Sequence, residues 1–229
     1  MRPTEFSLSR CKSWGQPLTY GRLATYLTGC LAFAFGGYLY IASNLGTDPL
    51  DVFVLGLKRH IPITIGMGQA GVAAVLILVW AAWNRKKPVL TPFFTFAFCG
   101  SVIDLLLLSK AAQATGLPPV ALMLTAGVFC AYGSALIIMS GIGIRAMDLV
   151  AISFREHWRW PFWVGKGTLE MMLLTVGALL GGPAGVGTVC FLASVDLLIQ
   201  PFVIMNERFF GIRNLGLRAL TRLAEETGA

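Results

Sequence analysis

The sequence predicts an all-α membrane protein: six transmembrane helices forming two inverted three-helix repeats, each with a short re-entrant or interfacial helix after its first span. Three observations predict it. The 229 residues are 56% hydrophobic and only 13% charged, against about 25% charged in soluble domains. Six apolar windows, at 23–43, 66–83, 89–108, 118–139, 162–182 and 186–205, match the ~17–25 residues that a spanning helix needs. The second half also matches the first without a gap, at the offset that carries His60 onto His157.

Basic residues set the order of the elements across the bilayer. Arg2, Arg10, Lys12 and Arg22 precede the first span, and Arg85, Lys86 and Lys87 follow the second. Arg145, Arg155 and Arg159 fall between the fourth and fifth, with Lys166 at the start of the fifth, and Arg208, Arg213, Arg218 and Arg222 follow the sixth. Only Lys58, Arg59 and Lys110 remain for the other side, so the positive-inside rule predicts that both termini are cytoplasmic. The divisions that follow are a cytoplasmic N-terminal tail (1–22), a first repeat (23–108), a second, inverted repeat (118–205) and a cytoplasmic amphipathic tail (206–229). The net charge of +7 is a topology signal spread along the flanks, not a nucleic-acid-binding patch. The tail's alternation of Arg with Leu and Phe points to a helix on the inner leaflet, with membrane lipids as its partner.

The polar matches between the halves carry the repeat, because apolar matches come easily in such a composition. Ser43 meets Ser140, Gly46 meets Gly143, Asp51 meets Asp148, His60 meets His157 and Gly68 meets Gly165. A gapped echo sets Asp104, in "GSVIDLLL", against Asp196, in "ASVDLLI". Three spans per unit is an odd number, so the second unit must enter the bilayer upside down. Inverted repeats of this kind recur in secondary transporters, with the binding site at the repeat interface.

The matched connections, 44–65 and 140–161, are mostly apolar. Each suits a helix of about twelve residues, too short to cross a core some 30 Å thick. Gly46, and Gly141 with Gly143, permit the reversal before them. In "GTDPLDVF" Asp48 reads as the N-cap, Pro49 as the first helical residue, and Asp51 as an approximate capping box that complements the helix dipole. In the second half Asp148 persists although the cap and proline positions hold Arg145 and Ala146, so capping does not fully account for the acid. His60 and His157, near the far ends of these helices, are interfacial residues or a proton-sensitive gate on each face.

Four ionisable residues fall within or at the edges of the spans: Asp104, Lys166, Glu170 and Asp196. An acid at a helix centre costs roughly 2.5–3.5 kcal/mol on insertion scales, so each needs a partner, a wet cavity or a proton. Lys166 and Glu170 have the spacing to pair on one face. Their counterparts in the first half are Gln69 and Ala73, an asymmetry expected if one polar solute has to be oriented. The candidate substrate- or ion-binding residues are therefore Asp51, Asp148, Glu170, Asp196, Asp104, Lys166, Arg145 and Gln69. Gly46, Asp48, Pro49, Gly143, His60 and His157 are the candidate gating or helix-start residues.

Other chemistry is not expected. Cys11, Cys30, Cys99, Cys130 and Cys190 show no C-x-x-C spacing and read as apolar filler, without a disulfide frame or metal site. "WVGKGTLE" lacks the full phosphate-loop pattern, and no H-E-x-x-H occurs. Neither an enzyme nor a cofactor is indicated. Trp80, Trp83, Trp158, Trp160 and Trp163 read as interfacial anchors. Small-residue stretches, such as "GGPAGVGT", favour close helix packing, and a homodimer is compatible with them.

The motifs "SNLGTDPLDVF" (43–53), "SGIGIRAMDLV" (140–150) and "GQAG" (68–71) resemble the YczE/YitT-type group of bacterial membrane proteins over roughly residues 22–205. The group's Gly-x-x-Pro-x-Asp core is complete as Gly46, Pro49 and Asp51; in the second half Ala146 replaces the proline. The resemblance implies a fold and a location in the bacterial inner membrane, and no substrate. The function expected is a small secondary transporter or permease of a small polar or ionic solute, working by alternating access. The alternative is a non-transporting sensor, accessory subunit or lipid-interacting scaffold.

Overall fold

The computed structural model describes residues 19–85, 87–109, 116–142 and 146–209, without the side chains of Asp148, Ile152, Arg155, Glu156, Phe162 and Asp196. Its helices are α1 (Tyr20–Ser43), α2 (Pro49–Lys58), α3 (Ile65–Asn84), α4 (Thr91–Ser109), α5 (Pro119–Ser140), α6 (Ala146–Trp158), α7 (Phe162–Leu179) and α8 (Val186–Phe209). Both expected short helices form, as α2 and α6.

Four helices, α1, α3, α4 and α5, are long and apolar enough to cross a membrane, and α8 makes a fifth if its bent halves count as one span. The bend, 40° between Val195 and Leu197, lies one turn before Pro201. Pro201 donates no N–H and crowds the carbonyl of Leu197, which is sufficient cause for a kink. The sequence predicts six spans, and α7 is the one that does not match. It has only 18 residues, and two of them are Lys166 and Glu170. The chain is a multi-pass helical membrane protein.

The core forms where α1 crosses α5. Gly29 faces Gly133 and Leu136, whereas Gly36 faces Ala126 and Cys130, so the two helices run antiparallel. A Cβ on Gly36 would lie 2.7 Å from the Cys130 nitrogen and 2.8 Å from the Ala126 oxygen. The offset image of this contact is present too: Gly133 has no room for a Cβ against Phe33, and one would lie 2.7 Å from the Gly29 oxygen. Lipid gives helices little hydrophobic reason to associate, so small residues that allow such backbone approach hold the seam by dispersion.

The ends of α1 and α5 match bond for bond. Ser43 Oγ donates to the Tyr40 carbonyl at 2.7 Å and Ser140 Oγ to the Ile137 carbonyl at 2.6 Å. The Leu45 and Ile142 amides return to those hydroxyls at 3.3 and 3.2 Å. Asn44 and Gly141 both take left-handed geometry as C-caps. α4 packs on α1 and α8 on α5, while α2 lies against α7 and α3, and α6 against α3 and α7.

The tryptophans do not all form a belt. Trp80 is buried at 3% exposure, inside the core. Trp83 packs on Phe154, His157 and Trp158, which joins the end of α3 to α6. The residues expected as the amphipathic tail lie outside the described residues beyond Phe209.

Candidate functional site

The site begins at the turn between α1 and α2. Gly46 has φ +116°, a conformation open to glycine, and a Cβ there would come within 2.8 Å of the Gly185 nitrogen. The turn is pinned from outside by the Gly187 amide, which donates to the Leu45 carbonyl at 2.8 Å. The stretch around "GGPAGVGT" thus packs on the mouth of α2. Asp48 caps α2 by accepting from the Leu50 amide at 2.9 Å, with Pro49 in the first turn.

Asp51 does not complete a capping box. Its carboxylate turns inwards, 1% exposed, and Oδ1 accepts from Gln69 Nε2 at 2.5 Å. Oδ2 lies towards α1, 3.7 Å from where Gly37 would carry a Cβ, with the side chain of Ile103 alongside. Four helices therefore converge on this one acid: α2 supplies it, α3 supplies the amide, and α1 and α4 close the apolar wall. The Thr47 hydroxyl lies beside the carboxylate, outside hydrogen-bonding geometry, and the Asp48 and Asp104 carboxylates are close enough to act on it electrostatically. Thr47 Oγ1 and Gln69 Oε1 are both buried without a hydrogen-bond partner. Among the described residues no Lys, Arg or His pairs with Asp51.

Asp104 has a different occupation. It accepts from the Ile65 amide at 3.0 Å through Oδ1 and from the Gly66 amide at 2.8 Å through Oδ2. Thr64 accepts from the Met67 amide at 3.2 Å. Three of the four orphan N–H groups at the start of α3 are so satisfied, and the helix dipole offsets the acid's charge. Gly66 and Gly100 bring α3 and α4 close enough for this reach, since a Cβ on Gly100 would lie 2.6 Å from the Gly66 Cα.

On α7, Lys166 Nζ is 3.6 Å from Glu170 Oε1, with the two side chains 10% and 6% exposed. This is the expected pair, deep in the protein. The histidines sit at the far ends of the short helices. His60 is exposed, with Nε2 3.2 Å from the Leu180 carbonyl; His157 Nδ1 is 3.1 Å from its own Ser153 carbonyl, and its ring packs on Trp83. Leu180 and Trp83 are themselves offset counterparts, so the two histidines meet matching positions. Gly143, Arg145 and the side chains of Asp148 and Asp196 lie outside the described residues.

Three polar residues escaped the sequence reading. Arg22 donates to the Ser140 and Gly141 carbonyls at 3.0 and 3.2 Å, tying the start of α1 to the end of α5. Thr47 faces Asp51. Asn206, fully buried, accepts from the Tyr132 hydroxyl at 3.4 Å and donates to the Phe202 carbonyl at 2.8 Å. In the sequence Arg22 is one of the basic residues flanking the first span, and no local pattern announces this contact.

A family model described as a family of unknown function (DUF6198) matches residues 20–203. The uncharacterized protein YyaS of Bacillus subtilis (strain 168) is 26% identical over 192 residues, covering 82% of this chain and 96% of its own. The uncharacterized membrane protein YczE of the same organism is 25% identical over 181 residues, 78% and 84% of the two chains. An uncharacterized protein of Haemophilus influenzae is 24% identical over 191 residues, 80% and 84%. No solved structure matches the chain.

Proposed function

The chain belongs to the DUF6198 family and has YczE-like relatives, and from that premise we propose a small secondary transporter or permease of a small polar or ionic solute. One observation carries the reading: an acid with no cation partner among the described residues, Asp51, lies at the meeting of four helices in an apolar bundle. An acid at membrane depth faces a partner, a cavity or a pathway, because hydrocarbon does not solvate it. The matched halves support an inverted repeat. The antiparallel α1–α5 seam exchanges its contacts at the offset of 97 residues (157 minus 60), and the serine-capped ends repeat.

On this reading α2 and α6 gate opposite faces, swinging at Gly46 and Gly143, with His60 and His157 at their tips. Lys166 and Glu170 orient the solute, and Asp148, Asp196 and Arg145 complete the pathway by register. The placement is the bacterial inner membrane with both termini cytoplasmic, which the distribution of Lys and Arg supports. The test is flux in proteoliposomes, scanned over small metabolites with and without an imposed pH gradient. Flux that depends on a solute and is lost in Asp51→Asn supports transport. No solute-dependent or pH-dependent flux in any condition means a sensor, accessory subunit or scaffold instead.

A further inference from the structure

We propose that Asp51 and Gln69 form a proton-binding site, with Gln69 holding the carboxyl in both of its states. The inference deepens the transport reading by naming the coupling ion, and its test reads protonation in the purified protein without any flux. The geometry restricts the ligand. Oδ1 is already held by the Gln69 amide nitrogen at 2.5 Å, which leaves no space for a metal ion between them. Oδ2 looks onto Gly37 and the apolar Ile103 side chain, and the unpartnered oxygens nearby, Thr47 Oγ1 and Gln69 Oε1, fall short of the roughly six that a hard cation gathers. A proton needs neither a cavity nor a shell.

The unpartnered groups agree. Gln69 Oε1 is buried at 2% residue exposure and accepts nothing, and Thr47 Oγ1 at 0% neither donates nor accepts. Protonation places an O–H on the carboxyl, and a half-turn of the Gln69 amide presents Oε1 as its acceptor. Asp51 ionised accepts from Nε2; Asp51 protonated donates to Oε1. The Thr47 hydroxyl beside it can donate to the carboxylate once the proton leaves. An amide that reads both states keeps the buried carboxyl of Asp51 partnered throughout, which matters because an unsatisfied one costs about 1–3 kcal/mol.

The surroundings favour a proton. The titratable groups around Asp51 are Asp48 from the preceding turn and Asp104 from α4, which both act against a negative charge at Asp51, and the Cys99 thiol of α4, which donates to the Cys30 carbonyl and brings no positive charge. α3 faces it with the neutral Gln69, and α1 with Gly37. The charges of α7 stand off, since α2 meets α7 around Gly177, and Lys166 is eleven residues earlier, roughly 16 Å along the helix. In the second half the residue matching Gln69 is Lys166, an ammonium built into the chain. The first half is the one that takes its positive charge from solution.

Infrared difference spectra of the purified protein between acid and alkaline pH test this. The wild type is expected to show the C=O stretching band of a buried protonated carboxylic acid, lost on deprotonation. The band should vanish in Asp51→Asn and persist in Asp104→Asn. Gln69→Lys provides a second route if Asp51→Asn fails to fold, because a tethered ammonium keeps the carboxylate ionised and removes the band. A band that survives either Asp51→Asn or Gln69→Lys overturns the proposal. So does a wild-type band displaced by sodium at constant pH, which would make the site an alkali-ion site.

Discussion

Replacing Asp104 by Ala measures how much the start of α3 depends on an acid from α4. Two amide bonds disappear together, from Ile65 at 3.0 Å and Gly66 at 2.8 Å. Among the described residues no other side chain caps these amides, since Thr64 already serves Met67. Hydrogen bonds to charged groups contribute about 1.5–3 kcal/mol each, and loss of an N-cap costs about 0.5–2 kcal/mol. Asp104 is only half-buried, so water recovers part of the loss, and the expected cost is about 2–4 kcal/mol. That is roughly a thirty- to thousand-fold shift in the unfolding equilibrium. Asp104→Asn keeps one carbonyl acceptor and should lose about half as much. Denaturant unfolding in mixed micelles, followed by tryptophan fluorescence, reads both variants. If Asp104→Ala unfolds within about 0.5 kcal/mol of the wild type while abolishing flux, the cap is incidental and the acid serves the solute.

The glycines give a matched contrast. Gly36→Ala forces a Cβ to within 2.7 Å of the Cys130 nitrogen, and overpacking against backbone should cost about 1–3 kcal/mol or more. Gly71→Ala meets nothing within 4 Å and should be neutral or stabilising by up to about 1 kcal/mol; melting temperatures that rank them the other way would contradict the α1–α5 seam. Gly46→Ala should be harmful at a position with φ +116°, and a stable, well-folded variant would show that the turn is not constrained. Arg22→Ala should cost about 1–2 kcal/mol through the two carbonyls it leaves at the end of α5, with Arg22→Lys restoring part of it in the same unfolding assay.

What the sequence could and could not convey follows from the range of each interaction. The start of α2 was legible because Asp48 and Pro49 act within one turn, and both sit as expected. The Lys166–Glu170 pair was legible for the same reason. Asp51 was recognised as more than a cap only through its repeat, and its partner Gln69, on another helix, carries no local signature. In the sequence Asp104 looks like a binding acid, because insertion cost alone cannot tell a solute from a distant helix N-terminus. Trp80 sits near a basic flank, the usual place of an anchor, while its helical phase turns it into the core. Local rules expose caps and pairs, whereas contacts between helices depend on how the bundle assembles.

The halves agree where backbone geometry is at stake and differ where charge is. Serine-held ends, glycine crossings and the histidine tips repeat, yet Gln69 and Ala73 on α3 become Lys166 and Glu170 on α7. If those charges served only to hold the bundle, the first half would need them too. The double replacement Lys166→Gln with Glu170→Ala writes the chemistry of the first half into the second. Removing both members of a buried pair is commonly near neutral, whereas removing one leaves an opposite charge behind at a cost on the order of 2 kcal/mol or more. The double variant should therefore unfold close to the wild type, each single variant earlier, and solute-dependent flux should be lost in the double variant although it folds. A double variant that unfolds as early as both single losses added together would make the pair a structural element and leave the asymmetry without a functional cause.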